Sequence, residues 1–277
     1  MSLSYGLFPA GAWNVQGVDY PTSVNWQQGF TFIPIHIFDA EQCDVIQNCR
    51  CLRLDELEKE QEKLNEYREA NDKLHAFNRR IAAFFNVTQD PDNYNAYSDT
   101  WKCQRNWFND TLYRELPFYN EQLFQEGQET NAPFRRFWEG QFENSSTIDG
   151  IDIGLELTTL KNGPLLNEIY NRGVEKLNCM EDYGNCTSYT KELKFYGYSA
   201  HDNMVYGLLV VLGIQELCKT IDGWPDYSST VVFEFYSNPT TLERFFKILY
   251  RDNADAELAD VTNMAKTRLS DALQNLP

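Results

Sequence analysis

Between Arg53 and Phe85 the apolar residues Leu57, Leu64, Tyr67, Leu74, Phe77, Ile81 and Phe84 recur at steps of three, four and seven, while the run RLDELEKEQEK that opens the segment is dominated by charge. Spacing of this kind puts the apolar residues on one face of a helix of 3.6 residues per turn and leaves the charges on a solvated face. The pattern predicts one long amphipathic helix over 53–85. His75 stands one step off the stripe and reads as structural.

The flanking segments have a different character. FTFIPIHIF, residues 30–38, is dense in β-branched and aromatic residues and predicts a strand, with Pro34 marking an edge or irregular end. Residues 86–150 carry turn residues and aromatics without clean periodicity and predict short helices and loops. In LELTTLKNGPLLNEIYNRGVEKL, residues 155–177, Leu165, Leu166, Ile169, Val174 and Leu177 suit a helix packed on a sheet, with Asn162-Gly163-Pro164 as punctuation before it. The final third alternates, with a strand at 194–200, an apolar helix from about Met204 to Lys219, and strands VVFEFYS at 231–237 and FFKILYR at 245–251. Strand, helix, strand is an α/β signature. The expected architecture is an α/β core in two pieces, 1–50 and 153–277, separated by a helical cap insert at 51–152. No internal repeat is visible.

A chain of 277 residues with 42% hydrophobic residues can bury a core unaided. No apolar run approaches the roughly 18 to 20 residues that a bilayer span requires. The formal charge of −17 argues against nucleic acid as partner, because the summed field repels polyanions. Seven cysteines, at 43, 49, 51, 103, 179, 186 and 218, form no CxxC, and with three scattered histidines they make no zinc set, so neither metal nor cofactor is expected. Cys179 and Cys186 flank a short turn-like segment and are candidates for a local disulfide. Four N-x-[ST] sequons, at Asn86, Asn109, Asn144 and Asn185, are candidate glycosylation sites. Together these features point to a secretory or lysosomal compartment. The opening MSLSYGLFPAGAWN has neither a basic n-region nor a long apolar h-region, so that compartment implies a leader encoded upstream of Met1.

The chemistry-bearing stretch is FYGYSAHDNM, residues 195–204, where an apolar, aromatic run stops at His201 and Asp202. Ligands of α/β sheets collect beyond the carboxyl ends of strands, and a following helix aims its positive N-terminal dipole at whatever binds, which suits a phosphate. A structural reading stands beside the functional one: Asp202 caps the helix that follows, and His201 satisfies a backbone group.

Longer strings carry a resemblance. YGYSAHDNMVYGLLVVLGI, residues 196–214, resembles the Y-S-A-H-D signature of the histidine acid phosphatases. SYGLFPAGAWN resembles their small-residue segment followed by L-F-P-P and Trp-Asn, and WQQGFTFIPIHIF their W-x-P-I-P-V-H strand. LKNGPLLNEI resembles their entry into a sheet-packed helix, and FEFY and ILYRDNAD their late strands. The resemblance implies a histidine-phosphatase-like sheet flanked by helices, incomplete in this chain, with a large inserted helical cap. It also implies hydrolysis of phosphate monoesters through a phosphohistidine, with His201 contacting the phosphoryl oxygens and Asp202 protonating the leaving alkoxide. General acid catalysis of that kind contributes typically ~10²- to 10⁴-fold.

In that family the nucleophile belongs to an R-H-G motif near the amino terminus, and no R-H-G occurs in these 277 residues. Asn203-Met204 also replaces the usual Thr-Thr. The resemblance therefore implies the carboxyl-terminal part of a secreted or lysosomal acid phosphatase that is inactive by itself. The alternative is a non-catalytic secreted glycoprotein acting in binding. The implied partners are small phosphomonoesters or phosphopeptides, with a homodimer by analogy.

Overall fold

The computed structural model describes residues 15–18, 20–25, 51–87, 97–111, 114–181, 186–238, 240–241 and 243–267. The expected strand at 30–38, with His36, and Cys43, Cys49 and Asn185 lie outside them. The chain divides into two compact units, Met1–Gln42 and Cys43–Pro277. In the first, a turn at Gly17 (φ +86°) is closed by a bridge between Gln16 and Tyr20, with the Gly17 N–H donating to the Tyr20 carbonyl at 2.7 Å.

In the second unit, two helices stand where the stripe predicted one: α1, Leu52–Gln61, and α2, Asn65–Phe84. The geometry of the stripe accounts for the break. At about 100° per residue, Leu57 and Phe77 point roughly 160° apart around a straight helix, so one rod cannot turn both toward one partner. Breaking at 62–64, with Leu64 extended (φ −65°, ψ 139°), lets each half find its own. Leu54 and Leu57 pack on Ile153 and Leu157, whereas Leu74 and Phe77 pack against residues of the fourth helix and Trp101.

Helices α3, Ser98–Phe108, and α4, Glu121–Trp138, follow. The start of α4 is fixed by Asn120, whose Oδ1 accepts the Leu123 N–H at 2.9 Å. A two-residue hairpin, β1 Thr147–Ile148 and β2 Ile151–Asp152, turns on Asp149 (φ +55°) and Gly150 (φ +79°), as an Asp-Gly pair in a type I′ turn requires.

Helix α5, Ile153–Glu181, is longer than expected and runs through Asn162-Gly163-Pro164. An internal proline removes one hydrogen bond and costs about 3 kcal/mol. Tertiary anchors just before it offset that cost. Thr158 Oγ donates to the Glu139 carbonyl at 2.6 Å, Lys161 Nζ to the Trp138 carbonyl at 3.0 Å, and Asn162 Nδ2 to the buried Glu139 carboxylate at 2.6 Å.

A short helix, α6 Ser188–Glu192, leads into residues 193–200, which have no regular structure although they read as a strand. Among the described residues no ladder partner lies beside them, and a strand exists only by pairing. Helix α7, Asp202–Val211, ends earlier than the sequence pattern suggests because Gly213 (φ +68°) builds a Schellman cap. Ile214 N–H donates to the Leu209 carbonyl and Gly213 N–H to that of Val210, both at 2.9 Å. A 3₁₀ turn, Gln215–Leu217, then leads to β3, Thr230–Ser237, and β4, Arg244–Arg251, both where the sequence places strands. They pair antiparallel, Phe233 opposite Ile248, and β5, Ala259–Asp260, adds a third strand on the far side of β4. The fold is α/β, with helices against small antiparallel sheets. Leu209, Ile214, Ile248 and Ala265 form the core between α7 and the sheet.

Candidate functional site

His201 is the N-cap residue of α7, in extended conformation (φ −73°, ψ 163°). Its carbonyl accepts the N–H groups of Met204 at 3.1 Å and Val205 at 3.4 Å, while its imidazole makes no capping bond. Asp202 is the first helical residue, and its Oδ1 accepts the Asn203 N–H at 3.0 Å; Asn203 Oδ1 in turn accepts the Met204 N–H at 2.9 Å. Both side chains thus satisfy backbone N–H groups of the first turn, as expected of a capping Asp202, and the His-Asp pair stands at the positive end of a ten-residue helix. Both residues are exposed. Two surface cavities, of about 450 and 310 Å³, lie at the junction of α1 and α2, lined by Glu60, Lys63, Glu66 and Asn144 and by Glu62, Tyr67, Arg68 and Asn71.

Upstream of the pair, Tyr196 and Tyr198 are half-buried while Phe195, Gly197, Ser199 and Ala200 are exposed. The two rings, 5.0 Å apart, lie against α5. There the Arg172 guanidinium sits 3.8 Å from the centroid of the Tyr196 ring, and its Nε donates to the Tyr198 hydroxyl at 3.4 Å. Glu168, one turn earlier, accepts from Arg172 and from the Tyr198 hydroxyl, the latter at 3.3 Å. Burial pushes Tyr198 up to about 12 against the opposing pull of Arg172, so its hydroxyl keeps its proton. For Arg172 burial disfavours the charge, but the bond to Glu168 outweighs it and holds the guanidinium above its ordinary range. This cluster was not singled out from the sequence. Its signals were the i, i+4 pair Glu168 and Arg172 on an expected helix and the alternation of Tyr196 and Tyr198.

A second charged cluster ties the segment after α7 to the helical block. The buried Asp222 carboxylate pairs with the buried Arg135 of α4 and lies 3.4 Å from Lys102 of α3. Burial alone would raise the Asp222 carboxyl, but Arg135 and Lys102 outweigh it and hold it below the usual carboxylate range. Arg135 also lies over the Trp224 ring, 5.3 Å from its centroid.

Among the candidate modification residues, Cys179 and Cys186 are joined in a disulfide. Asn86, Asn109 and Asn144 are exposed, with Asn109 in left-handed conformation and its Oδ1 accepting from Arg114 at 3.2 Å. Cys51, Cys103 and Cys218 are free thiols. No group of three metal-ligating side chains occurs among the described residues, and no described helix is long and apolar enough to cross a membrane.

The family model of the histidine phosphatase superfamily, branch 2, matches residues 1–251. A Caenorhabditis elegans protein named as a putative acid phosphatase is 56% identical over 264 residues, covering 95% of this chain and 60% of its own length. Putative acid phosphatases 11 and 10 of the same organism are 48% identical over 264 residues and 46% identical over 265, each match covering 95% of this chain and 64% of the relative. The chain therefore spans less than two thirds of the length of these relatives.

Proposed function

Because the chain belongs to branch 2 of the histidine phosphatase superfamily, we propose that it carries one half of a phosphomonoesterase centre, in which His201 contacts the phosphoryl oxygens and Asp202 protonates the leaving alkoxide. The observation that carries this reading is the Tyr-Ser-Ala-His-Asp run at 198–202, with both ionisable side chains exposed at the positive end of α7. The helix dipole favours an anion there, which matters in a chain of net charge −17. A carboxyl beside the ester oxygen supplies the proton that an alkoxide, a poor leaving group, needs.

The other half is the R-H-G histidine that takes up the phosphoryl group. That motif does not occur in the 277 residues, and the relatives are longer. We therefore propose that the chain corresponds to the carboxyl-terminal part of an acid phosphatase acting through a phosphohistidine, and that it does not turn over substrate unaided. The proposed division is an α/β core in pieces 1–50 and 153–277 and a helical cap at 51–152, supported by the succession of helices α1 to α4. Substrates are small phosphomonoesters or phosphopeptides, and a homodimer is the proposed assembly. A secretory or lysosomal compartment is supported by the Cys179–Cys186 disulfide and the exposed Asn109 and Asn144 sequons.

A second reading, a non-catalytic secreted glycoprotein, draws on the same lack of R-H-G. Reading the coding DNA upstream of the first codon separates the two. An in-frame R-H-G-x-R-x-P with an apolar leader supports the enzyme, whereas an immediate stop codon with no spliced exon carrying that motif supports the binding protein.

A further inference from the structure

Residues 193–200 lead the chain to His201 with no strand ladder among the described residues, and side-chain contacts with α5 help to fix where they lie. The side chains of Tyr196 and Tyr198 meet α5 at Arg172 and Glu168, with the planar guanidinium stacked on one ring and bonded to the hydroxyl of the other. Glu168 closes the triangle by accepting from both Arg172 and Tyr198. The support beneath is closely packed. The Tyr198 ring packs in a cluster with Leu165 and Ile169 of α5, Leu208 of α7 and Phe233 of β3. Gly173, next to Arg172, lies so close to the Phe235 ring that an added Cβ would fall 2.3 Å from it. The start of the same segment is also tied down, because Lys176 Nζ donates to the carbonyls of Thr190 at 2.9 Å and Lys191 at 2.8 Å. Helix α5 therefore holds residues 190–198 by side chains projecting at 168, 172 and 176, successive turns of one face.

We propose that Arg172, seated by Glu168, is a positioning residue that sets the placement of His201 and Asp202 by clamping Tyr196 and Tyr198. The proposal rests on the reading of His201 and Asp202 as the phosphate-handling pair. Arg172 touches neither of them; it acts through the aromatic pair, three residues upstream at the nearer ring. A lysine cannot substitute fully, because stacking on one ring while bonding a second group requires the planar, multi-donor guanidinium.

The test uses the 277-residue protein with isotopically labelled histidine and backbone nitrogen. The chain has three histidines, so the His201 ring signal is assigned by its loss in His201→Gln. In the unaltered protein we expect one sharp His201 signal and order parameters near about 0.85 at residues 199–202. In Arg172→Met we expect that signal to broaden or split and those order parameters to fall below about 0.6, with the His75 signal and the melting temperature unchanged; Arg172→Lys should restore them in part. If Arg172→Met does not fold, Tyr198→Phe removes only the hydroxyl and should give the same local loss in smaller measure. An unchanged His201 signal and unchanged order at 199–202 in the folded variants would overturn the proposal. So would a loss spread equally to His75, which would mean a general structural role. A titration of the unaltered protein with inorganic phosphate addresses the underlying reading separately: amide shifts confined to 201–204 support the phosphate site, and their absence counts against that site and not against the clamp.

Discussion

His201 gives its carbonyl, not its ring, to the helix it opens, while the Asp202 and Asn203 side chains each accept the next residue's N–H. The exposed imidazole and carboxylate stand side by side at the helix terminus. Two other residue-scale features lead to measurable outcomes. Gly140 (φ +74°) and Gly154 let the end of α4 cross the start of α5, where an added Cβ at either would fall 2.2 or 2.3 Å from the other's carbonyl oxygen. Backbone cannot step aside as a side chain can, so Gly154→Ala should destabilise the fold by about 1–3 kcal/mol. Gly140→Ala should cost about 1–2 kcal/mol more, because it also forces a left-handed non-glycine residue; thermal unfolding of the two variants checks the order. Burial pushes the Cys218 thiol up to about 12, and its Sγ lies 3.5 Å from the Tyr250 hydroxyl. Cys218 should therefore resist iodoacetamide at pH 8 in the folded protein and react on denaturation, as peptide mapping would show.

Between elements, the buried Asp222 clasp joins α3 and α4 to the segment after α7. Its carboxyl is held below the usual range when folded, so it contributes stability above the unfolded carboxylate value of about 3.9 and loses it as pH falls through the folded value. Asp222→Asn leaves Arg135 buried without its counter-charge and should cost about 3–5 kcal/mol at pH 7. The gap between variant and parent should begin to narrow as pH falls below about 3.9 and close only through the lower folded value, where the parent also loses the charge; urea unfolding as a function of pH measures this. The elements themselves were unevenly legible. Strands β3 and β4 were visible because β-branched and aromatic runs met a partner with the same pattern. The stripe at 53–85 announced a helix but hid the break, which follows only from the drift of its apolar residues around the axis. Pro164 marked a boundary that tertiary anchors on Glu139 override. Gly213 ended α7 early, and the Asp149-Gly150 turn was a readable hairpin signal inside a segment assigned to loops. Residues 194–200 had a strand's composition, but composition supplies no neighbour to pair with.

At the scale of the whole molecule, the His-Asp pair was legible because it lies in a sharply matching string, whereas its support by Arg172 and Glu168 was not, since it joins residues of α5 to a segment some thirty residues away. The proposed centre takes its proton donor and one phosphate contact from this chain and its nucleophile from an R-H-G that these residues do not contain. Purified alone, the 277-residue protein should show no turnover of p-nitrophenyl phosphate at acidic pH; turnover that Asp202→Ala abolishes would refute that expectation. The most direct test replaces the matching part of a C. elegans relative with this chain and compares Asp202→Asn with its parent on two substrates, an alkyl phosphate and p-nitrophenyl phosphate. With Asp202 as the proton donor, kcat should fall about 10²- to 10⁴-fold on the alkyl ester and clearly less on the nitrophenyl ester, whose leaving group needs little protonation. An equal loss on both esters, or none on either, would contradict that role.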